Sequence, residues 1–353
     1  MIFTINKSEL QAAIGSPARI ASRASVDYLA CILITANSDA VTFEATDQVE
    51  SSRQSVLALV ESDGNALVSA NKLSSIVKTL PDEAVTISDS SGHVEIECGK
   101  SSFVVPSLNP VDFPRFPTIN AEQSIVIPFD IFAPVSKRAS LCAAKNNKRA
   151  VFTGVWLTCD GSSVRMASSD GYRIIDDSVS ANGAMFEAII PATFIRDFAS
   201  IKASGDVTIS ASDNQIQMTC GNSTSTTRLI DAKYPNIDMF FAAESNAHAS
   251  VGRDALLGAA RRASAIGSTN PVSINIHDGI VTVSRDCGEN GSYTEDIEAD
   301  CDGLCYAAMN VSFLVDALAA FETDQVEILL ENPIKPIILH AGSCRSTIMP
   351  IRK

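Results

Sequence analysis

The chain has 353 residues, a hydrophobic fraction of 46% and a formal net charge of −14. This length suits two or three domains, and the hydrophobic fraction is typical of chains that bury apolar cores. The negative charge, taken alone, argues against a nucleic-acid partner. No apolar run approaches the ~20 residues that a membrane-spanning helix needs, and the opening MIFTINKSEL has no signal-peptide pattern, so we expect a cytoplasmic protein.

The cysteine and histidine patterns predict neither a metal site nor a disulfide framework. The nine cysteines are odd in number and form no CxxC pair, the nearest approach being CDGLC at Cys301 and Cys305. Such a pattern favours reduced thiols inside a cytosolic protein. The four histidines are scattered and lack the partner spacing of a metal or nucleophilic site, so we expect no cofactor.

The predicted elements recur three times along the chain in the same order. Each copy opens with a helix-like segment, continues with two alternating strands, and then has a strand, a second helix and further strands that end in a glycine. The helix-like openings are NKSELQAAIGSPARIAS, FDIFAPVSKRASLCAA and GRDALLGAARRASAIGS, and the strand pairs are Ile32–Asp47, Val155–Arg173 and Val272–Asp286. The second helices lie in Val68–Ser88, Ile190–Ser210 and Met309–Leu329.

Equivalent positions in the three copies are about 120 residues apart. The closing glycines Gly99, Gly221 and Gly342 are separated by 122 and 121 residues. A fixed period of this length indicates one supersecondary unit repeated along the chain. We therefore predict three domains, at residues 1–121, 122–244 and 245–353.

Ser169 and Asp170 place a hydroxyl beside a carboxylate, which raises the possibility of an enzyme. The segment lacks the strand–elbow–helix context of a GxSxG nucleophile, and no histidine is a candidate base. A Ser-Asp pair after a strand is more often a turn with side-chain-to-backbone hydrogen bonds. The sequence therefore favours a protein that is not an enzyme.

Basic residues concentrate in the predicted helices. Fifteen of the 27 lysines and arginines, but only five acidic residues, fall in the segments 5–23, 70–80, 129–149, 191–202, 252–265 and 310–321. Helical periodicity places Lys78, Arg196 and Arg262 opposite the apolar stripes of their helices. For a single helix, a basic face that is merely solvated is the simpler alternative. Because basic faces recur on several helices, a common partner is favoured. Such an array suits contact with nucleic-acid phosphates, which does not involve base edges.

The densest basic run lies in AAKNNKRAV, between the first helix and the next strand of the middle copy. It contains Lys145, Lys148 and Arg149, and it is predicted to be a loop. A lone basic run is usually a solvated turn. Beside a basic helix array, however, it is a candidate phosphate contact.

Four ordered motifs resemble the bacterial DNA polymerase III beta subunit family, the sliding clamps. They are VDFPRFP at 111–117, SSDGYRI at 168–174, KYPNI at 233–237 and MPIR at 349–352. The resemblance covers the whole chain. It implies an α+β fold of three repeated clamp domains, each with two helices packed on antiparallel sheets, and a head-to-tail ring dimer. Twelve helices would line a hole through which duplex DNA passes.

The resemblance also implies a processivity factor without cofactor, metal or catalytic residues. Its partners would be duplex DNA, the alpha subunit of the replicative polymerase, the clamp loader, repair polymerases and other proteins with clamp-binding peptides. Taken with the charge pattern, it assigns DNA binding to Arg23, Lys72, Lys78, Lys137, Arg138, Lys145, Lys148, Arg149, Arg196 and Arg262.

Two further sites follow from the resemblance. Phe103 and Val105 of the first domain should meet Ile266 of a second protomer, although both residues of the first domain also suit an ordinary core. A pocket for partner peptides should be lined by Phe152, Gly171, Tyr172, Arg173, Ile174, Pro235, Met239, Phe240, Ile334, Pro336, Ile348, Met349, Pro350, Ile351 and Arg352. The alternative is a monomeric repeat scaffold that binds peptides without encircling DNA.

Overall fold

The computed structural model describes residues 1–121, 123–146, 148–242, 245–267 and 271–351. These residues form six α-helices, namely α1 Lys7–Ala21, α2 Ala70–Thr79, α3 Phe129–Ala139, α4 Ala192–Phe198, α5 Arg253–Ala265 and α6 Val311–Ala320. The strands of the first repeat are β1 Ile2–Asn6, β2 Cys31–Asn37, β3 Ala40–Thr46, β4 Glu50–Leu57, β5 Leu59–Ser62, β6 Gly64–Ser69, β7 Ala84–Ser90, β8 His93–Cys98 and β9 Ser101–Leu108.

The second repeat has the same order of elements, and the third differs only in that a single long strand replaces the two strands that follow the hairpin. The second contains β10 Gln123–Pro128, β11 Gly154–Cys159, β12 Ser163–Ser169, β13 Arg173–Ser180, β14 Asn182–Gly183, β15 Phe186–Pro191, β16 Asp206–Ala211, β17 Gln215–Cys220 and β18 Ser223–Arg228. The third contains β19 Ala247–Gly252, β20 Val272–His277, β21 Ile280–Asp286, β22 Ser292–Gly303, β23 Cys305–Met309, β24 Gln325–Leu330, β25 Ile337–Ala341 and β26 Cys344–Ile348.

The predicted strand pairs are confirmed in all three copies. β2 pairs with β3, β11 with β12, and β20 with β21, each antiparallel. In the middle hairpin, Gly161 has a φ of 97°, which only glycine adopts without strain. The Asp160 carboxylate accepts hydrogen bonds from the amides of Ser162 and Ser163, at 2.9 and 2.7 Å. These bonds lower the pKa of Asp160 to about 2 and fix the turn.

The six helices also follow the sequence pattern, with two differences in length. α3 ends at Ala139, before the basic run, and α4 is a short helix of seven residues. The structure has three large hydrophobic cores, one centred on each repeat. Each core combines the apolar stripes of the two helices with the inward faces of the strands, mainly from the same repeat. The helices therefore bury one face on the sheets, which is the arrangement predicted from the periodicity.

Main-chain pairing joins the three domains into two long sheets. β4 of the first domain pairs with β18 of the second, from Glu50 opposite Thr227 to Gln54 opposite Ser223. β13 of the second domain pairs with β26 of the third, from Arg173 opposite Ile348 to Asp176 opposite Arg345. Sheets of 14 and 12 antiparallel strands result, and each crosses one joint between domains. The two joints thus connect equivalent strands of successive repeats.

All nine cysteines lie in the described part of the chain and none forms a disulfide. Burial raises the pKa of Cys142 to about 12, so this thiol stays protonated near neutral pH. Among the described residues no group of His, Cys, Asp and Glu has the arrangement of a metal site. Within the same residues no helix is long and apolar enough to cross a membrane.

Candidate functional site

The cationic residues predicted on the helix faces fall into two groups. The first group is exposed and consists of Lys72, Lys78, Lys137, Lys145, Lys148, Arg149 and Arg196. Arg196 lies on the face of α4 opposite the buried Phe194, Ile195 and Phe198, as the periodicity predicted. This group places positive charge on α2, α3, α4 and the loop after α3.

The second group is held by carboxylates. Arg23 pairs with Glu50 at 2.7 Å and with Asp197 of the second domain. The Arg262 Nη2 atom lies 2.6 Å from Glu295. Because their charges are matched by neighbouring acids, Arg23 and Arg262 add less to a basic surface than the sequence pattern suggested.

Arg138 is the most enclosed of the predicted cations, with 13% of its side chain exposed. Its Nε atom donates to the Asp177 carboxylate at 2.7 Å, and its Nη1 atom lies 2.7 Å from Glu322 of the third domain. A guanidinium shared by two acids in this way joins two domains. The structure therefore places Arg138 at a domain joint rather than on an open basic face.

The acidic helix α6 takes part in the same joint. Arg173 of the second domain donates from Nη1 to Asp316 of α6 at 2.6 Å, and its guanidinium carbon lies 4.3 Å from the ring centroid of Phe313. Asp316, the one charged residue of α6, is thus paired across the domain boundary.

A cavity of about 310 Å³ opens beside this joint, between the second and third domains. Its lining is mostly apolar and includes eight of the predicted pocket residues, namely Phe152, Gly171, Tyr172, Arg173, Ile174, Pro235, Phe240 and Met349. Four further lining residues are Arg149, Ser169, Ile237 and Thr347. A groove of this composition accommodates apolar side chains, and its two cationic residues are Arg149 and Arg173.

The remaining predicted pocket residues lie outside the cavity lining. Ile348 is fully buried in the core of the third domain, whereas Met239, Ile334 and Ile351 are 67%, 59% and 40% exposed. Pro336 and Pro350 are half-buried, and Arg352 lies outside the described residues. Strand alternation explains the position of Ile348, because the side chain of its neighbour Thr347 lies on the opposite face of β26, and Met349 follows the end of the strand.

The turn at Ser169–Arg173 forms one wall of the cavity. Ser169 Oγ donates to the carbonyl of Arg173 at 2.8 Å and accepts from the amide of Gly171 at 3.1 Å. Asp170 accepts from the amides of Tyr172 and Arg173 at 3.0 and 3.1 Å. These are the hydrogen bonds of a structural turn, as the sequence predicted, and they leave 66% of the Tyr172 side chain exposed at the cavity mouth.

The opposite wall is the connection between the second and third domains. Asp238 in this segment accepts from Arg165 at 2.7 Å and from Arg345 at 3.0 Å. The same two arginines donate to the buried Asp176, each through Nε at 2.7 Å. Hydrogen bonding from Arg165 lowers the pKa of Asp238, so this carboxylate remains a charged partner of the two arginines.

Aromatic rings complete this anchoring. The Arg345 guanidinium carbon lies 4.0 Å from the ring centroid of Phe241, and Arg165 lies 5.1 Å from that of Trp156. Trp156 in turn stacks on Tyr234 with a centroid separation of 5.4 Å. The segment that supplies Pro235, Ile237 and Phe240 to the cavity is therefore fixed from behind by charge and stacking.

Two strand edges, one in the first domain and one in the third, have no partner strand within the described residues. β9 pairs with β8 over Ser101–Pro106, and its other side over these residues is unpaired. β22 pairs only with β21 over Ser292–Asp296. Of the predicted interface residues, Phe103 is half-buried and Val105 is buried in the first core, while Ile266 packs beside Gly291 at the start of β22.

Comparison with protein families covers almost the whole chain. Residues 1–117, 126–236 and 239–352 match the N-terminal, central and C-terminal domains of the DNA polymerase III beta subunit, respectively. The chain belongs to the DNA polymerase III beta subunit family. The predicted family and the predicted three-domain α+β fold are thereby confirmed.

Individual members of the beta subunit family are similar over their full length. The beta sliding clamp of Streptomyces coelicolor is 26% identical, covering 96% of this chain and 93% of that protein. A putative beta subunit from Eubacterium rectale is 25% identical with a TM-score of 0.90, and both chains are covered completely. The Pseudomonas aeruginosa clamp bound to griselimycin is 22% identical with a TM-score of 0.92, again over both whole chains.

Proposed function

We propose that this protein is a sliding clamp, a non-enzymatic ring of two protomers that encircles duplex DNA and tethers a DNA polymerase. The observation that carries the proposal is a pair of strand edges, on β9 of the first domain and β22 of the third, that lack a partner strand among the described residues. Family membership supports the same function. The clamp domains that we propose comprise residues 1–121, 122–244 and 245–353, and the ring would act in the cytoplasm, where chromosomal DNA lies.

The repeat itself indicates how two protomers close. At each joint within the chain, the last strand of one domain pairs with the strand that follows the hairpin of the preceding domain. In the third domain the corresponding strand is β22, and the last strand of the first domain is β9. Pairing β22 of one protomer with β9 of another repeats the internal joint, closes a head-to-tail ring and removes both open edges.

The proposed interface includes the residues that flank these edges. β9 would contribute its main chain and the half-buried Phe103, with Val105 supporting the strand from the core below. Ile266 lies at the start of β22 and would meet the partner there. The unpaired side of β9 between Ser101 and Pro106 is long enough for the pairing seen at the other two joints, which use four or five residue pairs.

The exposed cations of the helices would face the DNA. Phosphate attraction that involves no base edges is independent of sequence and allows the ring to slide. The strongly acidic remainder of the surface would repel DNA from the outside of the ring. We propose Lys72, Lys78, Lys137, Lys145, Lys148, Arg149 and Arg196 as contacts of this kind, with smaller contributions from the ion-paired Arg23, Arg138 and Arg262.

The cavity between the second and third domains would bind short apolar peptides of partner proteins. These partners include the replicative polymerase alpha subunit, the clamp loader and repair polymerases. The cavity floor of aromatic and aliphatic side chains suits branched or aromatic residues, and Arg173 can hold a polar end of the peptide. The exposed Met239, Ile334 and Ile351 lie outside the cavity lining and would contact flanking peptide residues.

The first test is the solution mass, measured by sedimentation, followed by retention on circular and linear duplex DNA. We expect a mass near twice 37.4 kDa, with protein retained on closed circles and lost from linear ends. Changing Lys78→Glu together with Arg196→Glu should reduce retention without changing the mass. A monomer at high concentration would favour the alternative, a repeat scaffold that binds peptides without encircling DNA.

A further inference from the structure

A notch between α1 and α2 forms a second concave site, separate from the peptide cavity. Its volume is about 420 Å³, and its lining includes Gln11, Arg19 and Ser22 from α1 and Asn71, Ser74 and Lys78 from α2. No acidic residue lines it. A concave site with the Lys78 ammonium group, several hydrogen-bond donors and no carboxylate in its lining is suited to an anion.

Small residues create the notch. Gly15 and Ala18 lie on the α1 side, where a larger side chain would fill the space between the helices. Arg19 folds back toward Gly15, since its Nη1 atom would lie 4.0 Å from a Cβ atom built on that glycine. Its Nη2 atom donates to the carbonyl of Asp197 at 3.1 Å and its Nε atom lies 3.2 Å from the Asp197 carboxylate, so the guanidinium is held at the edge of the notch with its charge matched.

Ser74 provides the observation that points to a ligand. Its Oγ atom is buried and has no hydrogen-bond partner, although Ser74 lines the notch. A helical serine commonly bonds to a carbonyl of the preceding turn, and a buried hydroxyl without any partner is unfavourable. An oxygen atom seated in the notch would accept this hydroxyl proton and remove the penalty.

We propose that the α1–α2 notch is a seat for one phosphate group of the DNA backbone, held by the Ser74 hydroxyl and the Lys78 ammonium group. This inference rests on the proposed clamp function. It adds one defined contact to the DNA-facing helices, which would otherwise attract the DNA only through their average charge. Asn71 and Gln11 supply side-chain amide donors on either side of the seat. The seat makes one register of the DNA backbone against α1 and α2 more favourable than its neighbours, while remaining independent of base sequence.

The experiment compares three variants by fluorescence anisotropy with a labelled 20-base-pair duplex across a range of salt concentrations. Lys78→Gln removes a cation from the notch, and Lys72→Gln removes an exposed cation of the same helix that does not line the notch. Ser74→Ala changes no charge. The seat predicts that Ser74→Ala weakens duplex binding about three- to tenfold, the effect of one hydrogen bond to a charged group.

We also expect Lys78→Gln to weaken binding more than Lys72→Gln at every salt concentration. Ser74→Ala should keep or raise the melting temperature, because it deletes an unsatisfied buried hydroxyl. Weaker duplex binding by a variant that is at least as stable cannot be attributed to misfolding.

Two results would overturn the seat. One is equal loss for Lys78→Gln and Lys72→Gln together with unchanged binding by Ser74→Ala, which leaves the clamp function intact and the wall purely electrostatic. The other is that Ser74→Ala weakens the binding of inorganic phosphate but leaves duplex binding unchanged, which would make the notch a site for free anions. Failure of the unmodified protein to be retained on closed circular duplex DNA would instead refute the proposed function itself.

Discussion

Asp176→Asn should open the joint between the second and third domains. The Asp176 side chain is 4% exposed and accepts three hydrogen bonds, two from Arg165 at 2.7 and 2.9 Å and one from Arg345 at 2.7 Å. Removing one member of a buried charge group costs about 3–5 kcal/mol. Asp238 remains as a partner for both arginines, so we expect the lower end, about 3 kcal/mol.

Native-state hydrogen exchange is the appropriate assay, because a three-domain chain has no single two-state free energy of unfolding. The amides of β13 and β26, paired from Arg173 opposite Ile348 to Asp176 opposite Arg345, should exchange on the order of 100-fold faster. The amides of the β4–β18 joint should be unchanged. The matched control is Asp254→Asn, whose carboxylate is 86% exposed and pairs with Arg253 at 3.2 Å.

We expect the control to change stability by less than about 1 kcal/mol. Equal exchange at the β13–β26 joint in both variants would show that the shared buried carboxylate does not stabilise the joint. Faster exchange at both domain joints of Asp176→Asn would show global destabilisation instead.

Burial raises the pKa of the Glu50 carboxyl group from 4.5 to about 7. Between these two values the folded chain binds a proton that the unfolded chain releases, so stability should fall as the pH rises from 4.5 to about 7. Glu50→Gln should flatten the change in melting temperature between pH 5 and 7.5, and an unaltered profile would contradict the assignment. Gly303→Ala should destabilise the third domain more than Gly221→Ala destabilises the second in thermal unfolding. Both glycines have positive φ, but a Cβ atom at Gly303 would lie 2.1 Å from the carbonyl oxygen of Asn246, whereas Gly221 faces open space. Deleting 349–353 should abolish binding of clamp-motif peptides in calorimetry without changing the sedimentation mass, since Met349 lines the cavity; retained peptide binding would contradict the pocket assignment.

The fold was predictable from the sequence because the chain contains the same pattern of helices and strands three times. Alternation in Val155–Arg173 alone is a short signal, but its copies at Ile32–Asp47 and Val272–Asp286 give the same hairpin. The domain boundaries at 121 and 244 remain predictions. Family models end at 117 and 236 and resume at 126 and 239, so they leave the connecting residues unassigned.

The predicted DNA-facing residues show where helical periodicity is insufficient. Lys137 and Arg138 are adjacent in sequence, and periodicity gives no sign that one is exposed and the other is held by Asp177 and Glu322. Asp177 lies 39 residues away in β13 of the same domain, and Glu322 lies 184 residues away in the third domain. Ion pairing over such separations depends on the tertiary arrangement, which local patterns do not encode.

The peptide cavity shows a similar division. The turn residues Gly171–Ile174 follow from a local motif, and the structure brings them to the cavity. Thr347 lines the cavity but was not among the predicted residues, whereas Ile348, which the resemblance implied, is buried in the core of the third domain. The period of two in β26 was an available signal, since it places Thr347 on the face opposite Ile348. Ile237 lies in an irregular connection, where strand periodicity gives no signal, but it closes the KYPNI motif at 233–237.

Both joints within the chain share main-chain hydrogen bonds between strands. These bonds make no demand on side-chain identity, so the side-chain contacts beside them can differ between the joints. One joint presents Ser223–Thr227 opposite Glu50–Gln54, whereas the other places Asp176 opposite Arg345. If three copies descend from one ancestral unit, each junction could therefore accumulate its own substitutions without losing the order of domains. Divergence of this kind would let a single junction acquire a cavity for other proteins while its sister junction kept a purely architectural role.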